Sequence, residues 1–138
     1  MIILYPLIAM IFLTLIVGAQ LLYCNSKAVL KGEVNIKSFR LFDSEIPNSL
    51  KSVSQHYKNM FELPVLFYIL CLLFIINDNS TDFDVIIAWG FFLFRFLHSL
   101  VRISNQNVNL RFGLFIGSFV MLIIGWISFT LSYVRLIS

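Results

Sequence analysis

Asn59-Met60-Phe61-Glu62-Leu63-Pro64 opens an apolar stretch that runs to Ile76 without another charge. A carboxylate at the mouth of a membrane helix is expensive to desolvate and needs a partner. Two candidate partners, Arg95 and Arg111, sit inside or beside later apolar stretches. A chain that places Glu and Arg in its apolar segments is building a polar site inside a bundle. The question is what that site binds.

The rest of the chain fixes the setting. It has 138 residues, 59% hydrophobic and 12% charged, with a mean hydropathy of +0.91. Soluble domains carry about 25% charged residues, so the composition predicts an all-α integral membrane protein. Four spans are readable, at about residues 2–23, 53–76, 85–101 and 113–134, in a single membrane domain of residues 1–138. The apolar part of the second, from Phe61 to Ile76, is shorter than the roughly 20 residues a bilayer requires. It is expected to extend backwards as an amphipathic helix from about Asn48, since Asn48 to Lys58 contains neither Gly nor Pro. The first span has no basic flank before its apolar run, and that run is longer than a signal peptide's, so it reads as a retained helix. Cys24 and Cys71 make neither a disulfide framework nor a metal-ligand pattern; both read as small buried hydrophobes.

Charge predicts the orientation. The connection over 24–58 carries Lys27, Lys31, Lys37, Arg40, Lys51 and Lys58 against Glu33, Asp43 and Glu45. The second connection holds Asp78, Asp82 and Asp84 and no base, and the third, over 102–112, holds Arg102 and Arg111 and no acid. The positive-inside rule then puts 24–58 and 102–112 in the cytoplasm, with 24–50 as a cytoplasmic loop and both termini outside. Arg135 runs weakly against this. Within the loop, Lys31 to Asn35 and Asp43 to Asn48 read as turns. The net charge of +3 suits anionic lipid heads or an anionic ligand, not a nucleic-acid domain.

This orientation makes the polar residues converge. Asn59 and Glu62 are one turn apart, with Gln55 a turn earlier, forming one stripe on the second helix. Arg95, His98 and Arg102 form another on the third, and Arg111 opens the fourth, all expected in the cytoplasmic half of the membrane. Pro64 cannot donate to the Met60 carbonyl, which leaves a free acceptor and an expected kink beside Glu62. Each residue has two readings. Glu62 with one Arg is a ligand group or a structural ion pair. Arg102 and Arg111 belong to a site or snorkel to lipid phosphates. His98 binds a ligand or a backbone carbonyl; no second His or Cys sits at metal-ligand spacing. His56 is expected at the membrane surface. Gly113-x-x-x-Gly117 favours close helix packing.

In this order and on these helices, Asn59-x-x-Glu62-x-Pro64, Arg95-x-x-His98 and Arg111 resemble the membrane-associated proteins in eicosanoid and glutathione metabolism (MAPEG). The run ahead of Val65-Leu66-Phe67-Tyr68 resembles the bacterial branch, which implies an inner membrane. The resemblance covers all four spans. It implies a left-handed four-transmembrane-helix bundle assembled as a homotrimer, with glutathione bound between subunits near the cytoplasmic side. It further implies that Asn59 and Glu62, with Gln55 on the same stripe, hold the peptide's backbone and amino group. Arg95, with His98 beside it, and Arg111 would meet the carboxylates or the thiolate, and Arg111 would be the catalytic residue. The chain departs from many members at Gln55, where they carry Arg, and at Leu63, Phe115 and Arg102, where several carry Tyr.

Three functions follow as expectations. The first is a glutathione-dependent transferase or peroxidase acting on hydrophobic electrophiles or lipid peroxides, its nucleophile borrowed from the cosubstrate. The second is a non-catalytic protein of the same fold that binds a lipid or another anionic metabolite. The third, a small transporter or channel subunit, is disfavoured because no trail of charge crosses the outer half.

Overall fold

The computed structural model describes residues 2–34, 47–104 and 107–137. Four helices follow one another: α1 (Leu4–Leu30), α2 (Asn48–Asn77), α3 (Asp82–Ser104) and α4 (Val108–Ile137). All four are long and apolar enough to cross a membrane. The protein is an all-α integral membrane protein with four candidate spans.

The helices run past the spans expected from hydropathy, because a helix stops at a capping signal and not at the end of its apolar run. α1 continues to Leu30, seven residues into the expected loop. Residues 24–30 contain neither Gly nor Pro, and the stop comes at Gly32, whose φ is 72°. Its amide donates to the Val29 carbonyl at 3.0 Å and the Glu33 amide to the Ala28 carbonyl at 3.0 Å, the paired bonds of a glycine-terminated helix. Pro47 precedes α2, which starts at Asn48 and runs through Pro64. It ends where Asp78 takes a left-handed φ of 49°, tolerable for Asp. The Asn107 side chain caps α4, accepting from the Asn109 and Leu110 amides at 3.1 and 3.2 Å. Lys37, Arg40 and the expected turn from Asp43, together with Asn35, lie outside the described residues.

The chain falls into two compact units, Met1–Phe12 with Glu62–Ser138, and Leu13–Phe61. In the first, three contacts set the register of α3 against α4. Ser128 bonds Asp84, Gly90 lies against Met121, and Gly117 lies against the Phe94 ring. The α3 partner rises in number as the α4 partner falls, so the two helices are antiparallel. Phe67 of α2 stacks on Phe91 of α3 at 4.4 Å between ring centroids, and Leu70 abuts Gly125. The Tyr68 hydroxyl donates to the Met10 carbonyl at 3.4 Å. In the second unit, Tyr57 lies against Gly18, and Ala28, Val34 and Leu50 bury one another with Cys24 beside them.

Candidate functional site

Arg95 is the centre of the polar region in the first unit. It sits on α3 with 0% of its surface exposed. Burying a guanidinium among helices is costly unless something offsets the lost hydration. Two aromatic rings and one carboxylate do so. The guanidinium carbon lies 5.7 Å from the Phe91 ring centroid and 5.1 Å from that of Phe115. Both distances are within cation–π range. The Glu62 carboxylate acts on Arg95 through its charge. Glu62 itself is exposed.

One turn further along α3, His98 is 2% exposed, its ring centroid 6.5 Å from that of Phe115. Ser99 beside it is also buried. Arg102 and Arg111 are each half-buried, at the end of α3 and the start of α4. Their like charges act on one another. The predicted site residues therefore form three groups in this unit: Glu62 with Arg95, Arg95 and His98 around Phe115, and Arg102 with Arg111. Only Glu62, Arg102 and Arg111 of these reach the surface. Gln55, exposed, and Asn59, half-buried, lie on the part of α2 in the second unit. His56, expected at the membrane surface, is 2% exposed in that unit.

Sequence reasoning missed the far end of the hairpin. Asp84 looked like a loop acid, yet it is 2% exposed. Its Oδ2 accepts from the Thr81 amide at 2.8 Å and from the Thr81 hydroxyl at 2.6 Å, and its amide donates back to that hydroxyl at 3.4 Å. Its Oδ1 accepts from the Ser128 hydroxyl of α4 at 2.6 Å. The signal was present as Thr81-x-x-Asp84, a capping box ahead of an apolar run. Phe91 and Phe115 were likewise hidden among 15 phenylalanines, with nothing in their spacing to separate an arginine clamp from lipid packing. Gly113-x-x-x-Gly117 divides: a Cβ on Gly117 would come within 2.6 Å of Phe94, whereas nothing lies within 4 Å of one on Gly113.

Among the described residues no three His, Cys, Asp or Glu side chains cluster as a metal site. Chemically, the first unit offers a buried guanidinium held by aromatic rings, a surface carboxylate tied to it, and a surface pair of guanidiniums. No curated protein and no solved structure matches the chain. The sequence model of the MAPEG family matches residues 3–131, which takes in α1, α2, α3 and most of α4, and the protein belongs to the MAPEG family.

Proposed function

We propose that the protein is a membrane-embedded, glutathione-dependent transferase or peroxidase acting on hydrophobic electrophiles or lipid peroxides. Its family includes such enzymes, and this membership over residues 3–131 carries the reading. Support comes from the first unit, where a carboxylate (Glu62) and a guanidinium (Arg111) both reach the surface. Glutathione presents an ammonium, two carboxylates and a thiol. Glu62 suits the ammonium. Arg111 suits a carboxylate or the thiolate, whose formation a partly desolvated Arg favours. Its place in the first turn of α4 adds the positive helix end.

Arg95 and His98, buried within one chain, act in this reading by holding Glu62 and Phe115 in position. The roles of Gln55 and Asn59 on the peptide backbone are carried over from the sequence resemblance alone. So are the homotrimer and the bacterial inner membrane, whereas the cytoplasmic placement of the 102–112 turn rests on the charge of the connections. An open apolar groove of about 390 Å³, lined by Leu66, Phe119, Ile123 and Trp126, offers lipid-side surface for a hydrophobic substrate.

A thermal melt of detergent-purified protein with millimolar glutathione tests the reading. Ligand at 100 times its dissociation constant stabilises the folded state by about 2.7 kcal/mol. A rise in Tm that disappears in both Glu62→Ala and Arg111→Ala is the expected result. No rise at saturating glutathione rejects it.

A second reading, a non-catalytic member that binds a lipid or another anionic metabolite, has its own observation. Leu63 and Phe115 stand where several members carry Tyr; Leu63 is 9% exposed and Phe115 is engaged with Arg95. Thiol-dependent turnover by the purified protein excludes this reading.

A further inference from the structure

Phe115 is only half-buried, yet two buried polar side chains of α3 meet its ring. The Arg95 guanidinium carbon lies 5.1 Å from the ring centroid. The His98 ring centroid lies 6.5 Å from it, with the two planes at 56°. Arg95 also meets Phe91 of its own helix at 5.7 Å, so the guanidinium links a ring of α3 to a ring of α4. A cation is drawn to the face of an aromatic ring, and a plain apolar side chain offers no such face. The contact is therefore directional in a way that ordinary apolar packing is not.

Arg111 lies one turn before Phe115 on α4, at i and i+4, so both project from nearly the same face. Val108, Leu110 and Phe112 of this turn are exposed, and a Cβ on Gly113 would meet nothing within 4 Å. The Asn107 side chain caps the Asn109 and Leu110 amides, a contact that does not set how α4 is rotated against α3. Gly117 against the Phe94 ring sets how near the two helices come. The ring contact of Phe115 sets which way α4 faces. A helix turns as one body over so short a distance. Its radius with side chains is about 5–6 Å, so a rotation of about 10° carries a surface residue about 1 Å. A misplacement of about 1 Å can cost about 100-fold in rate at a reacting group.

We infer that Phe115 is the positioning residue of the site: met by Arg95 and His98, its ring sets the rotation of the first turns of α4 and so the direction in which Arg111 points. Phe115 touches no reacting atom and acts through Arg111. The thiolate role of Arg111 rests on the glutathione reading. The link from Phe115 to Arg111 stands without it.

Two readouts on the full chain in detergent keep these apart. The first needs no ligand and follows the side-chain Nε–Hε NMR signals of Arg95 and Arg111. Phe115→Leu, apolar but without a ring face, should shift both signals. Phe115→Tyr keeps the face and should return both close to their wild-type positions. Phe74→Leu removes a buried ring that packs on Phe129, near the other end of α4, and should leave Arg111 in place. A trifluorinated phenylalanine introduced at 115 keeps the shape while weakening the attraction of the ring face. It should move both signals the same way as Phe115→Leu, and it decides alone if Phe115→Leu does not fold. The second readout is the ultraviolet absorbance of the thiolate of bound glutathione, followed across pH. In Phe115→Leu the thiolate fraction at neutral pH should fall about tenfold, the low end of what one nearby opposite charge does to a pKa. It should stay near wild type in Phe74→Leu. An Arg111 signal that stays in place in both Phe115→Leu and the trifluoro variant overturns the inference, as does one that Phe74→Leu displaces equally. An Arg111 signal that follows residue 115 in a protein showing no bound thiolate upholds the positioning and rejects the glutathione reading alone.

Discussion

The two ends of the α3–α4 hairpin solve the same problem in opposite ways. At one end Asp84 is buried and fully engaged, with three donors from Thr81 and Ser128 converging on its carboxylate. At the other, Arg102 and Arg111 are half-buried like charges that act on one another. Arg95 lies between, buried as deeply as Asp84 but held by ring faces and the charge of Glu62. A carboxylate satisfied from within its own chain fastens two helices. The repulsion between two like charges works against the packing of the helices that carry them. The contrast predicts that the Asp84 end contributes more to stability than the mutual contact of Arg102 and Arg111.

Arg95 is the sharpest way to break this division, because it belongs to neither class. Arg95→Ala removes the largest fully buried side chain and both ring contacts. It should destabilise the fold by about 3 kcal/mol, the usual cost of deleting a large buried side chain. Reversible unfolding in detergent with increasing dodecyl sulfate measures it. A cost near zero would mean that Arg95 is kept for a ligand and not for packing.

The Asp84 end comes next. Asp84→Asn keeps the shape but removes the charge and turns one of the two acceptor oxygens into a donor. It should cost about 2 kcal/mol, in the range for hydrogen bonds to a charged group. Arg111→Gln, half-buried at the opposite end, should stay within about 0.5 kcal/mol in the same assay, as surface substitutions do. Equal losses at the two ends would erase the difference in stability between them.

The fold was legible in the sequence because membrane burial is a bulk property. Four apolar runs and few charges leave only a helical bundle, and Asn48 was readable as the start of α2 from the lack of Gly and Pro before Lys58. Helix ends were less legible at the first loop, where the Gly32 stop outlasts the apolar run by several residues. In the site, the stripes of Arg95, His98 and Arg102 followed from helical spacing, but spacing gives direction on a helix and not depth in the protein. That Arg95 and His98 turn inward while Glu62 and Arg111 reach the surface depends on which neighbour covers each face. Asp84 was misread because net charge marked it as a loop residue, while its fate is decided by Ser128, 44 residues away.

The small-residue pattern on α4 gives the finest test, since its two glycines sit one turn apart on the same helix. Gly117→Ala places a Cβ 2.6 Å from the Phe94 ring, too close to keep without moving the ring or the helix. Overpacking of this kind should cost about 1–2 kcal/mol, and pairing it with Phe94→Leu should recover most of the loss. Gly113→Ala meets nothing within 4 Å. There the only change within the chain is the gain in helix propensity over Gly, about 0.5–1 kcal/mol in favour of folding. Both variants can be ranked by the same unfolding curves in detergent. If Gly113→Ala destabilises instead, its open face must be covered in the folded protein by something outside the chain, and a subunit neighbour would be the first candidate. If it stabilises as expected, nothing outside the chain packs closely enough against that face to exclude a methyl group.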